Sequence, residues 1–254
     1  MEMFLNFRDM AMSASREMAR RTALARQPRP AGVSGPPLKF LLAEFGALAG
    51  RARPVTMERH QARRPQPVML LPGFGASPGR MKRMHQAIED AGHLVEDWGL
   101  GFNLGPTPEN FIFLMRRIGS MARLYNQPVA LVGWSLGGLF AREIARRQPA
   151  SVGKVITMGT PFSGDRRANN AWRAYQLVTG HNVDEPPIDC DFAQKPPVPT
   201  IALWSPRDGV IAPRSACGWP GERDRAIAVR CNHIGFANDP KVIAEVLRQL
   251  DAEL

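Results

Sequence analysis

The pentapeptide Gly133-Trp134-Ser135-Leu136-Gly137 sets a serine midway between two glycines, after the apolar run Val129–Trp134 and before the helix-like run Leu136–Arg147. A serine on a sharp strand-to-helix turn needs small neighbours, because side chains two residues before and after it would crowd the bend. The helix behind it offers outward-pointing N–H groups and the dipole end that favours negative charge. Together these suit nucleophilic acyl transfer by Ser135. A glycine-rich turn that merely joins strand to helix has the same five letters, so the flanking strand and helix carry the reading.

A serine hydroxyl becomes a nucleophile when a base removes its proton, and histidine titrates in the right range. Of the five histidines, His60, His85 and His93 precede Ser135 and His181 lies in an irregular stretch. His233, in Cys231-Asn232-His233-Ile234-Gly235-Phe236, follows the last predicted strand and is the candidate base. An acid that orients the imidazole is expected between the two, after a strand. Asp208, in Trp204-Ser205-Pro206-Arg207-Asp208-Gly209, meets that condition; Asp165, after the fourth strand, is the rival. Pro-x-Asp-Gly is also ordinary turn chemistry. Two backbone N–H groups must converge on the developing oxyanion. The candidates are Leu136, next to the serine, and Phe74, in Gly73-Phe74-Gly75. That Gly-x-Gly lacks dinucleotide-site spacing, and no metal-ligand spacing or phosphate loop is present, so no cofactor and no metal are expected.

The elements that must position these residues read as follows. Pro67–Leu71, Leu94–Trp98, Val129–Trp134, Lys154–Thr160, Thr200–Ser205 and Ala226–Arg230 are short apolar runs with the length of strands. Helices fit Pro78–Ala91, Pro108–Tyr125 with Thr107 as N-cap, Leu136–Arg147 and Pro240–Leu250. Such alternation predicts an α/β fold, a mainly parallel central sheet flanked by helices. Residues 163–198 break the alternation and are too long for a plain loop, which predicts a cap insertion. Residues 1–66 divide into an N-terminal arm and a short helix near Pro37–Ala49. In that helix Leu38, Leu41, Leu42, Phe45 and Leu48 recur at helical spacing, as expected of a helix packed on the outside of the 67–254 domain. Trp98, Phe102 and Trp134 could line an acyl pocket, although buried packing is the common fate of such side chains.

The totals bound the alternatives. A chain of 254 residues, 44% hydrophobic and 22% charged, supports one sizeable core. Its formal charge of +10 is spread along the chain without a nucleic-acid module, so nucleic acid is not an expected partner; a soluble basic surface is the plain reading, and an anionic membrane or lipid surface is the alternative it leaves open. Three cysteines do not form a secreted disulfide scaffold, although Cys217 and Cys231 flank the last strand and could meet. No apolar stretch reaches the roughly 20 residues of a membrane span. The start, Met1-Glu2-Met3-Phe4-Leu5, lacks a basic segment followed by an apolar core, which points to the cytoplasm.

From about Pro67 onward the chain resembles bacterial α/β-hydrolases of the esterase/lipase type. The likeness rests on Leu71-Pro72-Gly73-Phe74-Gly75, Gly133–Gly138, Gly159-Thr160-Pro161-Phe162, Ser205–Gly209 and Asn232–Gly235. It departs at Pro72-Gly73, where many relatives carry His-Gly. The resemblance implies an α/β-hydrolase fold, a Ser135, Asp208, His233 triad and an oxyanion hole from Phe74 and Leu136; Trp134 and Phe162 are the expected substrate-binding residues. It implies a serine hydrolase acting on small-molecule or lipid carboxylic esters. An acyltransferase using the same triad and a non-catalytic binding protein on the same fold are the alternatives.

Overall fold

The computed structural model describes residues 2–49 and 60–253. Two helices come first, α1 (Glu2–Ala25) and α2 (Leu38–Ala49). The sheet then alternates with helices: β1 (Pro67–Leu71), α3 (Lys82–Asp90), β2 (Leu94–Asp97), α4 (Pro108–Leu124), β3 (Val129–Trp134), α5 (Leu136–Arg147) and β4 (Val152–Met158). There follow α6 (Trp172–Thr179), β5 (Thr200–Trp204), α7 (Pro213–Cys217), β6 (Arg225–Ala228) and α8 (Pro240–Asp251).

The six strands are all parallel, in the order β2-β1-β3-β4-β5-β6. Helices cover both faces, which is why β1 and β3 are apolar and buried along their whole length rather than alternating. Successive side chains still point to opposite faces. Val68 and Leu70 join Met84, Ile88, Val246 and Leu250 in the core beneath α3 and α8. Met69 and Leu71 join Leu114, Ile118, Phe140 and Ile144 beneath α4 and α5. Each such aliphatic side chain contributes about 1.5–3 kcal/mol by leaving water.

The topology selects the position of the site. The chain runs from β1 out to edge strand β2 and then crosses back to β3, so the strand order reverses at β1 and β3. A ligand crevice opens at such a switch, at the carboxyl ends of the strands. Leu71 pairs with Gly133, Trp134 with Met158, Met158 with Leu203 and Trp204 with Ala228. That register brings the loops at 72–75, 135, 159–162, 205–209 and 229–233 to one edge of the sheet.

Several details differ from the sequence reading. β4 begins two residues earlier and stops at Met158, because Gly159 turns to φ 55° and ends the strand. Pro78–Met81 is a separate 3-10 turn ahead of α3. The N-terminal arm is the helix α1, and the cap contains the helix α6. Polar contacts join these two helices. α6 ends in a left-handed Gly180, leaving carbonyls without helical donors. Arg20 Nη1 donates to Gly180 O (2.9 Å) and Arg21 Nη1 to Val178 O (2.6 Å), while Gln176 Nε2 donates to Leu24 O (2.5 Å). Glu17, which binds both arginines, has its carboxyl held down to about 2 by their hydrogen bonds.

The apolar face expected of α2 is only partly covered among its described side chains. Leu38 and Leu42 are about 70% exposed, at 70% and 69%, whereas Glu44 is buried at 3%. The side chains of Phe45 and Leu48 lie outside the described residues.

Candidate active site

Ser135 sits where β3 turns into α5, with φ 53° and ψ −119°. A non-glycine residue with positive φ is strained, and the surroundings must impose it. Here Ser135 N–H donates to Met158 O (2.8 Å), and Gly138 N–H donates back to Ser135 O (3.0 Å). The flanking glycines answer to close packing. A Cβ on Gly133 would strike the backbone of Gly137 and Gly138, one on Gly137 would strike the carbonyls of Leu71 and Pro72, and one on Gly138 would strike Thr160.

Asp208 and His233 come together at the ends of β5 and β6. His233 Nδ1 lies 2.8 Å from Asp208 Oδ2, and both side chains are buried. The carboxylate partner assigns the proton to Nδ1, which leaves Nε2 as the proton acceptor. The other oxygen, Asp208 Oδ1, accepts the N–H groups of Val210 and Ile211 (both 2.8 Å), so the acid cannot swing. Ser205 Oγ donates to Cys231 O (2.5 Å), tying the two loops at their bases. Gly159 lies against Asp208 Oδ2 and the Phe236 ring, where a side chain would intrude. The rival acid, Asp165, is exposed and caps its own turn by accepting Arg167 N–H (2.7 Å). His60 pairs with Asp251, and His93 is buried beside Gln66, away from this cluster.

Trp134 supports the histidine. Its Nε1 donates to His233 O (3.1 Å), and the two rings are 5.8 Å apart. Among the described residues no hydrogen bond joins Ser135 Oγ to the imidazole; bonds of this kind tighten when substrate is present.

A cavity of about 90 Å³ opens over Ser135. Phe74, Leu136 and Leu139 line it from the sheet side, and Trp172, Tyr175 and Phe192 from the 163–198 segment. The Phe74 and Tyr175 rings meet at 5.5 Å. Trp134 and Phe162, expected to bind substrate, are placed elsewhere: Trp134 under His233, and Phe162 beneath the Arg142 guanidinium, 4.1 Å from it. Trp98 is a core residue and Phe102 is 66% exposed.

Residues outside the sequence motifs shape this site. Buried Asn103 donates through Nδ2 to Pro72 O (2.7 Å), while its backbone carbonyl accepts Gly75 N–H (2.8 Å). The turn is thereby held, and the Phe74 amide is not among its internal donors. Buried Arg142 of α5 reaches the carbonyls of Phe192, Ala193, Gln194 and Glu222, pinning the cap to the serine's helix. Burial pulls this guanidinium down to about 10. No motif marks either residue.

Among the described residues no group of three or more His, Cys, Asp or Glu side chains is arranged to hold a metal, and no helix is long and apolar enough to cross a membrane. Cys190, Cys217 and Cys231 are free thiols, so Cys217 and Cys231 do not pair. Burial pushes the Cys231 thiol far up, which leaves it unreactive.

Comparisons with known proteins agree with this architecture. A family model described as alpha/beta hydrolase fold matches residues 67–185. Over 112 residues the chain is 28% identical to the biotin biosynthesis bifunctional protein BioHC of Teredinibacter turnerae; the match covers 40% of this chain and only 19% of that longer protein. Among solved structures, polyneuridine aldehyde esterase superposes with a TM-score of 0.56 at 11% identity, over 74% of this chain and 100% of the other. A lipase-esterase related protein from Clostridium acetobutylicum gives 0.54 at 14%, over 75% and 97%. Carboxylesterase CesB from Bacillus subtilis gives 0.50 at 14%, over 85% and 99%. At these identities the likeness is one of fold.

Proposed function

We propose that this chain, which has the α/β-hydrolase fold, is a serine hydrolase that cleaves carboxylic esters through an acyl-enzyme on Ser135. The observation that carries the reading is the buried Asp208–His233 hydrogen bond of 2.8 Å, at the same sheet edge as a serine held at φ 53°.

In this mechanism Ser135 Oγ attacks the ester carbonyl while His233 Nε2 takes its proton. Asp208 keeps the other ring nitrogen protonated and faces the imidazolium as it forms. The N–H groups of Leu136 and Phe74 receive the oxyanion, and the α5 N-terminus favours its charge. The alcohol leaves with the proton from His233, and water then attacks the acyl-enzyme by the same route. The apolar and aromatic walls suit the acyl group, with Phe74, Leu139, Tyr175 and Phe192 as contacts.

Labelling with a fluorophosphonate probe, followed by peptide mapping, tests the reading. Adduct on Ser135 of the wild type, lost in His233→Ala, is the expected result. A folded wild type that takes up no probe and hydrolyses no p-nitrophenyl ester removes the proposal. A competing alcohol in the assay separates hydrolysis from transfer to an acceptor.

The +10 charge, together with exposed Phe102, Leu104, Leu177 and Val178, supports an encounter with ester at an anionic lipid surface. Co-sedimentation with anionic vesicles at low salt, reversed at high salt, is expected; no binding at low salt sinks this part.

A further inference from the structure

Glu44 belongs to α2, before the sheet begins, yet its carboxyl group lies buried between the two loops that carry Asp208 and His233. Oε1 accepts the N–H of Gly209 (3.0 Å) and of His233 itself (2.6 Å), and Oε2 accepts the N–H of Ile234 (3.1 Å). One side chain therefore bonds the residue after the acid, the base, and the residue after the base. We propose that Glu44 is a positioning residue for the catalytic pair: it locks the acid loop and the base loop into one register, so that His233 is presented correctly to Ser135. This rests on the triad reading above.

Three observations converge on that role. First, Glu44 is only 3% exposed on a helix whose Leu38 and Leu42 face water, so this polar residue is turned inward where two of the leucines are not. Burying a carboxyl group is expensive unless donors surround it, and these three N–H groups are such donors. Second, α2 lies directly on the acid loop. A Cβ on Gly209 would run into the carbonyl of Phe40 and the amide of Leu41, so the glycine beside Asp208 makes room for this helix. Third, the approach to α2 is fastened to the same loop. Asn170 Nδ2 donates to both Pro36 O (3.0 Å) and Gly209 O (2.9 Å). Among the described residues the other bonds that join these two segments are the Asp208–His233 contact, Ser205 Oγ to Cys231 O and Val229 N–H to Trp204 O; none reaches the His233 backbone amide. Glu44 does, at the root of the imidazole.

The geometry makes a specific demand. An imidazole displaced by about 1 Å loses about 10²-fold in rate, while an acyl pocket built by other residues still binds substrate. With p-nitrophenyl butyrate, Glu44→Ala in the full-length chain is expected to lower kcat by about 10²-fold and leave KM within about twofold. Glu44→Gln keeps one oxygen that can bridge the Gly209 and His233 amides but sets an NH2 group against the Ile234 N–H, so kcat should recover only in part, to several-fold but less than about tenfold below wild type. The downfield proton resonance of the His233 Nδ1–H to Asp208 bond, present in the wild type, should broaden or vanish in Glu44→Ala and return in Glu44→Gln. A folded Glu44→Ala with wild-type kcat, a loss confined to KM, or an unaltered downfield resonance overturns the proposal. If Glu44→Ala does not fold, Glu44→Gln decides: a several-fold drop in kcat at constant KM supports the role, and wild-type kcat refutes it. Ser135→Ala in the same assay keeps the two ideas separate. Wild-type turnover in Ser135→Ala defeats the triad reading; a dead Ser135→Ala beside a fully active Glu44→Ala defeats only the role of Glu44.

Discussion

The parallel sheet and the assembly of α1, α6 and the 163–198 cap are held by different physics. In the sheet, Val68, Leu70, Val132, Ile156 and Ile201 are buried, and their backbone groups pair strand to strand. Any residue of similar shape would serve at most of these positions. The cap is joined to the N-terminal helix by Arg20, Arg21 and Gln176, and to α5 by Arg142, all side chains that seek particular carbonyls. Apolar burial is non-directional and tolerates repacking, whereas a buried donor aimed at a carbonyl works only if both partners stay in place. The sheet therefore fixes where Ser135, Asp208 and His233 stand, and the polar contacts hold the cap that walls the cavity above Ser135.

The contrast is sharpest in the site itself. Asp208→Asn is expected to lower kcat by about 10⁴-fold with little change in unfolding temperature, because the wrong imidazole tautomer is held in an intact scaffold. A loss below about tenfold would mean that the 2.8 Å contact is structural only. At the elbow, Gly138→Val must displace Thr160 in a packed core. We expect a loss of about 3 kcal/mol or more in urea denaturation; a neutral result would show that α5 can move away from β4.

The cap should respond differently. Arg142→Met leaves the carbonyls of Phe192, Ala193, Gln194 and Glu222 without their donor, and should cost about 2 kcal/mol. Limited proteolysis should cut first within 186–198; cleavage elsewhere would locate the weakness outside the cap. Arg20→Ala with Arg21→Ala removes two exposed or half-buried donors, so global stability should hardly change while hydrogen exchange rises in α1 and α6. Unchanged exchange in those helices would show that these arginine contacts do not hold α1 to α6.

The smallest expected effect is one of pH. His181 follows α6, and burial, then the nearby Arg20 and Arg21, push its pKa below the ordinary 6.5. The folded state thus favours neutral His181. Its contribution is complete above pH 6.5 and declines as pH falls below it, since the unfolded chain then binds more protons. Exchange in α6 should quicken on acidification through that range, and His181→Asn should remove the dependence.

What could be read from the letters depended on how local the cause was. β1 and β3 are short apolar runs closed by turn residues, and their bounds match the sequence reading. Thr107 caps α4 as expected, with Asn110 completing a reciprocal pair. Ser135, Asp208 and His233 were identifiable because glycine spacing and strand-then-turn order are local patterns. Helix α1 escaped because its stabilising partners, Val178 O and Gly180 O, lie more than 150 residues away. The cap helix α6 escaped for the same reason. Trp134 and Phe162 look like pocket residues by type and position, yet packing turns one under His233 and the other under Arg142.

The sequence by itself determined the sheet, its helices and the residues able to do chemistry, because hydrophobic periodicity and backbone turn preferences act over a few residues. Only the tertiary structure decided that Asp208 rather than Asp165 meets His233, that residues of the cap close the cavity, and that Glu44 reaches the loops of both acid and base. Those choices rest on hydrogen bonds between groups far apart in the chain, whose partners no local pattern names.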